Sequence, residues 1–434
     1  MEETRKRGFH YGWVVVLGCG LMIAGTVTFL TVLVGNFYVP AATELGTDYS
    51  SISLYYTFVL LGIAISLPFV GNLLPKIPPL GFAALCVIQA LAVGLLSVWD
   101  NVSMWWITGG VVGLAMGFTS IVCISTIITN WFSKRIGFAI GLVWAIASVI
   151  SAIMSPVITE IVTLMGWRTA IVIFAVVSLV LTVPSSLFLV IYSPERKGLK
   201  PYGYDSETVE NQNQEEVEVS GVPFKKATRS LAFVLVALGL VLTQILAVLN
   251  TYFPTYADSV GFDPSVGALM ISIALIFDIA LNPFIGWTLD KFGAVRMYAF
   301  WLAVVILSFG ILLFSAGNQI LAYLGAGIND TMYVLCGVGI ASVVTSIFGA
   351  KDYAKIFSYV VMAGYLAGCV GPFLIGAIYD MTGSFEAVFG IGSIMCIVIA
   401  VLFFIAQKAA KKLPQETEII SLSEPNTPAA EVQA

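Results

Sequence analysis

The chain has 434 residues, of which 59% are hydrophobic and only 10% charged, and its mean hydropathy is +0.97. So few charges cannot cover a globular surface in water, which excludes a soluble domain and leaves a protein whose outer surface meets lipid. The net charge of −5 gathers in the tails and central loop and reads as solvation, not as attraction to nucleic acid or another basic partner.

Twelve apolar runs are long enough to cross a bilayer core of about 30 Å at ~1.5 Å per helical residue. They lie near 11–36, 52–74, 80–99, 104–130, 137–164, 168–192, 229–252, 264–288, 295–315, 319–348, 355–380 and 385–408. None alternates polar and apolar residues as a barrel strand would, so helices are predicted. The first run is too long for a secretory leader and is taken as a retained span. Cys19, Cys86, Cys123, Cys336, Cys369 and Cys396 fall inside apolar runs without paired spacing, which fits core packing rather than disulfides or metal ligands. The sole histidine, His10, precedes the first span, and neither a nucleotide-binding loop nor a metal or nucleophile cluster is present. No enzyme chemistry, cofactor or metal is therefore expected.

With the N-terminus placed in the cytoplasm, 19 of the 20 Lys and Arg residues fall on the cytoplasmic side and only Arg168 falls outside. That bias predicts an even span count with both termini cytoplasmic. Pro194, Gly198, Pro201 and an acidic run from Glu207 to Glu218 interrupt the pattern. The predicted organisation is a six-span half over residues 1–192, a flexible cytoplasmic linker over 193–228, a second six-span half over 229–412, and a disordered cytoplasmic tail over 413–434. The halves echo each other. Gly71, Leu74 and Lys76 precede Gly286, Leu289 and Lys291 by 215 residues, and 217 separate Lys134 from Lys351 and Gly166 from Gly383.

Between spans 8 and 9 stands GWTLDKFGAVR, in which Gly286 and Gly293 let two helix ends approach while Asp290, Lys291 and Arg296 place charge beside them. This stretch resembles the Gly-x-x-x-Asp-Lys/Arg-x-Gly-x-x-Arg/Lys loop of major facilitator superfamily transporters, found between helices 2 and 3 and again between helices 8 and 9. The first-half copy, GNLLPKIPPLG, has Pro75 where the second has Asp290. FHYGWVVV, NWFSKRIGFAIGL, FGAKDYAKIFSYV and GYLAGCVGPFLIGAIYDMTGSFEAVF resemble the monocarboxylate transporter and oxalate/formate exchanger branches. The resemblance implies an all-α membrane protein of twelve transmembrane helices in two six-helix pseudo-repeats. It also implies alternating access at a midplane site, and symport of a small organic solute, a monocarboxylate or related acid, with a proton. The expected setting is the lipid bilayer of the plasma membrane, and the expected state a monomer.

Chemistry is sought at polar residues sunk in the spans, where a charge costs a few kcal/mol or more and persists only with a partner or a task. Asp278 and Asn282 are four apart and share one helix face. They read as a proton site with an amide that orients substrate; the other reading is a paired structural acid. In the monocarboxylate branch an Arg occupies the position of Asn282, and no Lys or Arg lies near the centre of any predicted span. A carboxylate is usually held by a cation, so a cationic, zwitterionic or neutral substrate stays open, with a nontransporting sensor as the more distant alternative. Asp330 follows Asn329 and the glycines 325 and 327, which loosen span 10. Gln244, Asn250 and Tyr252 on span 7, Trp144 on span 5 and Tyr365 on span 11 are candidates to face substrate, with plain helix contacts as the alternative. Pro156, Gly371 and Pro372 are hinges or passive kinks.

Overall fold

A computed structural model describes residues 10–204 and 216–421. The basic cluster Arg5 to Arg7, the acidic run up to residue 215 and the tail beyond 421 lie outside the described residues. Twelve helices within it are long and apolar enough to cross a membrane. They are α1 (Gly12–Leu45), α2 (Ser51–Lys76), α3 (Pro79–Val98), α4 (Val102–Trp131), α5 (Ile136–Met165) and α6 (Trp167–Leu189), then α7 (Leu231–Ser259), α8 (Ser265–Phe292), α9 (Ala294–Leu313), α10 (Gln319–Phe348), α11 (Tyr353–Thr382) and α12 (Phe385–Ala410).

Number and order match the apolar runs, but several helices outlast them. In α1 the backbone passes through a π-helical stretch at Ala24–Val32 and a 3-10 turn at Leu33–Phe37 before ending at Leu45, nine residues past the run that ends near 36. A backbone with no water to bond keeps its internal hydrogen bonds wherever it can, so the helix ends where water is reached and not where apolar composition stops.

Arg168, the one Lys or Arg among the described residues at the end opposite the linker, has a local task. Its guanidinium bonds Glu44 at the end of α1 (2.7 Å), Asp100 between α3 and α4 (2.6 Å) and the Ser97 carbonyl (2.7 Å), and so ties three connections of the first half together.

Parts of the linker and tail segments are paired. Glu216–Gly221 (β1) pairs antiparallel with Glu416–Ser421 (β2), Glu216 standing opposite Ser421 and Gly221 opposite Glu416. Two further backbone bridges attach the linker to the halves: Tyr202 pairs with Phe132 between α4 and α5, and Gly221 pairs with Gly349 between α10 and α11. The bonds are Tyr202 N–H to Trp131 O (2.7 Å) and Ser133 N–H to Tyr202 O (2.9 Å), then Val222 N–H to Phe348 O (2.8 Å) and Ala350 N–H to Ser220 O (3.0 Å). Strand pairing satisfies backbone groups and needs no apolar core, which is why composition alone missed it. Glu416 adds ion pairs to Lys226 and Lys351, both at 3.1 Å.

Candidate functional site

Asp278, Asn282, Gly286 and Asp290 recur every fourth residue along α8 and therefore form one stripe. The stripe faces α5 of the other half. At the linker end the Asp290 carboxylate accepts hydrogen bonds from the backbone N–H groups of Gly137 and Phe138, both 2.8 Å, which are unpaired donors in the first turn of α5. One turn up, the two backbones touch: a Cβ on Gly286 would lie 2.1 Å from the Gly137 carbonyl oxygen, and one on Gly141 would lie 2.2 Å from that of Asn282. Only glycine permits this approach. Gly293 ends α8 with φ +97°, a conformation other residues rarely adopt.

Higher still, the Asp278 carboxyl meets groups from α5, from its own α8 and from α10. Ser148 Oγ on α5 donates to Oδ2 and Asn282 Nδ2 donates to Oδ1 at 2.7 Å, with the buried Asp330 carboxyl of α10 as a neighbour. Asn250 Nδ2 on α7 donates to Asp330 Oδ1 at 2.9 Å, while Asp330 Oδ2 has no further partner among the described residues. Asp278 and Asp330 are 6% and 4% exposed.

The pair adjoins a cavity of about 90 Å³ lined from α1, α2, α4 and α5 of the first half and α7, α8, α10 and α11 of the second. A water needs roughly 10–15 Å³ on the same scale, so the space admits one small organic molecule. Its polar groups come from Thr31, Tyr56, Trp144, Gln244, Asp278, Asn282, Tyr333 and Tyr365; no Lys, Arg or His lines it among the described residues. Access is one-sided. Near the linker end the halves meet backbone to backbone, at Gly137 with Gly286 and at Gly71 with Lys355. At the other end, Ile158 is the only buried residue of α5 from Ala152 to Met165, and Ile375 the only one of α11 from Pro372 to Thr382.

The sequence candidates divide accordingly. Asp278, Asn282, Gln244, Trp144 and Tyr365 line the cavity, while Asp330 and Asn250 stand behind it as partners of Asp278. Asn329 and Tyr252 do not line the cavity. The Asn329 amide bonds Ser308 on α9 at 2.9 Å, and the Tyr252 hydroxyl bonds the Pro372 carbonyl at 2.6 Å. Lys291 covers the rings of Trp287 and Phe292, and Arg296 is exposed. Sequence reasoning missed Ser148, Tyr56 and Tyr333. Tyr333 follows Asp330 by three residues and so stands on its face of the helix, a spacing that could have flagged it.

Comparison with known proteins points one way. The Major Facilitator Superfamily matches residues 16–350. Monocarboxylate transporter 4 of Gallus gallus is 24% identical over 459 aligned positions, covering 96% of this chain and 89% of that one. Monocarboxylate transporter 12 of Homo sapiens is 24% identical, covering 87% and 77%. Among solved structures, the proton:xylose symporter XylE superposes with a TM-score of 0.64 at 14% identity, covering 93% of this chain and 96% of that one.

Proposed function

We propose a substrate and a coupling ion for this chain, which belongs to the Major Facilitator Superfamily and is a transporter, not an enzyme. The substrate is a small monocarboxylic acid and the coupling ion a proton, moved together. The carrying observation is two buried carboxyls, Asp278 in the cavity wall and Asp330 behind it, beside a cavity that no Lys, Arg or His lines among the described residues. An anion entering a site with no Lys or Arg needs its charge matched some other way, and a proton held by the acid pair does so. Tyrosine hydroxyls, the Gln244 amide and the Trp144 indole then supply neutral donors to the carboxylate oxygens. Likeness to monocarboxylate transporters supports this substrate class.

A second reading rests on the same two acids: a cavity with buried carboxyls and no base also suits a cationic, zwitterionic or neutral solute. Proteoliposome uptake separates them. Under an inwardly acidic-outside pH gradient, lactate or pyruvate is expected to accumulate and collapse of the gradient to stop it. Accumulation of amines alone overturns the carboxylate reading, and stabilisation against heat by each compound gives an independent check through mass action.

The remaining assignments complete the proposal. Residues 1–192 and 229–412 act as the two moving halves, joined by 193–228. The linker end faces the cytoplasm of a cell whose plasma membrane holds the protein as a monomer, which makes the present state outward-facing. Basic residues gathered at that end support the orientation.

A further inference from the structure

We infer that Ser148 is a positioning residue that ties the occupancy of the acid pair to the α5–α8 seam, so that loading the proton loosens the contact that keeps the linker end closed. The inference rests on the proton-coupled reading above. Three rungs hold the seam: Asp290 on the N–H groups of Gly137 and Phe138, Gly141 against the Asn282 backbone, and Ser148 on Asp278. Ser148 is the uppermost. Just beyond it α5 loses burial, so the bond sits where the closed part of the seam becomes the open part.

The hydroxyl has one proton and two acceptors in reach, the Asp278 carboxylate across the seam and the Trp144 carbonyl of its own helix at 3.1 Å. When Asp278 is ionised, Ser148 donates across the halves and the rung is charge-assisted. When Asp278 is protonated, its O–H donates to Ser148 Oγ and the serine proton turns to the Trp144 carbonyl. No group is left unpaired in either state, but the rung between halves becomes a neutral hydrogen bond of roughly half the strength. The other titratable groups facing Asp278 or its cavity are Asp330, Tyr333 and Cys336 on α10, Tyr56 on α2 and Tyr365 on α11, with Asp290 lower on the same seam. Those from α5 and α7, namely Ser148, Trp144, Gln244 and Asn250, do not titrate.

The test needs no substrate. Hydrogen–deuterium exchange of the full chain in lipid nanodiscs is followed over α5 from Ile136 to Ser151 at acid and neutral pH, corrected for intrinsic exchange. Wild type should open more at acid pH by about fivefold, the ratio expected when a charge-assisted bond becomes a neutral one. Ser148→Ala should lose that pH dependence and Ser148→Thr should restore it, because only a hydroxyl can be donor and acceptor in turn. Asp290 is present in all three proteins, so its own titration cancels in the comparison. An unchanged pH dependence in Ser148→Ala, or none in wild type, overturns the inference. Lactate uptake driven by a pH gradient, measured on the same proteins, reports separately on the coupling itself. Wild-type uptake with a pH-independent seam sinks the Ser148 role alone, and no uptake with a pH-dependent seam sinks the substrate and coupling reading alone.

Discussion

Asp278 bonds to Ser148 of α5 and to Asn282 of its own α8, with Asp330 of α10 beside it, and this fixes what its replacement should do. Asp278→Asn keeps the shape but holds no exchangeable carboxyl proton. Accumulation of lactate under a pH gradient should vanish while downhill exchange continues, since exchange need not cycle the proton. Concentrative uptake by this variant would move coupling to Asp330. Asn282→Ala strips a donor from Asp278 Oδ1 and an amide from the cavity, and a buried acceptor left unpaired costs about 1–3 kcal/mol. Both a higher KM and a lower unfolding temperature are therefore expected, and an unchanged KM would remove Asn282 from the substrate site. Asp278 and Asn282 were legible because a charge in an apolar run demands a reason. Ser148 was not. Serines and threonines in membrane helices routinely return their proton to the carbonyl four residues back, as Thr126 and Ser358 do here, so one that also crosses to another helix looks the same in sequence.

At the scale of elements, the seam joins a charge to a helix terminus and a glycine to a backbone. An anion at a helix N-terminus contributes about 0.3–2 kcal/mol, so Asp290→Asn should shift the balance between access states by up to roughly thirtyfold while leaving affinity nearly unchanged. Wild-type transport rates in that variant would remove the gating role. Gly141→Val drives a side chain into the Asn282 carbonyl and should force α5 from α8, seen as faster exchange of the amides of residues 137–141. The loop signature announced the acid and the glycines, but not that Asp290 reaches the opposite half. The first half has Pro75 in the equivalent place, and the start of α11 is served differently. Asp352 accepts the Phe224 N–H of the linker at 2.9 Å and pairs with Lys355 at 3.3 Å. The two seams thus share a glycine-to-backbone approach, at Gly286 and at Gly71, but only the first adds an acid that reaches the opposite half.

In the whole molecule, the twelve helices were readable because the bilayer allows so few backbone solutions, whereas the β1–β2 pair joins segments that no local pattern connects. Its ion pairs give a prediction with a sign. Hydrogen bonds from Lys351 and Lys226 hold the Glu416 carboxyl below its ordinary value. The link is therefore complete above the usual glutamate range near ~4.3 and is lost only as pH falls through the lower folded value. Between pH 5.5 and 7.5 it should not vary. Salt, which screens exposed pairs, should weaken it instead. Glu416→Gln should raise amide exchange around residues 348–352 at low salt and make no difference at high salt; sensitivity to mild acid would contradict this account.

The linker's two bridges carry one more consequence. Phe132 and Gly349 are 217 residues apart, the same interval that relates the repeats, so the linker is pinned to equivalent points of the two halves. Yet it runs parallel to Phe132 and antiparallel to Gly349. Two edges exchanged by a half-turn about the membrane normal point in opposite directions, and a single chain crossing from one to the other must read the first forwards and the second backwards. The linker therefore cannot share the symmetry of what it joins.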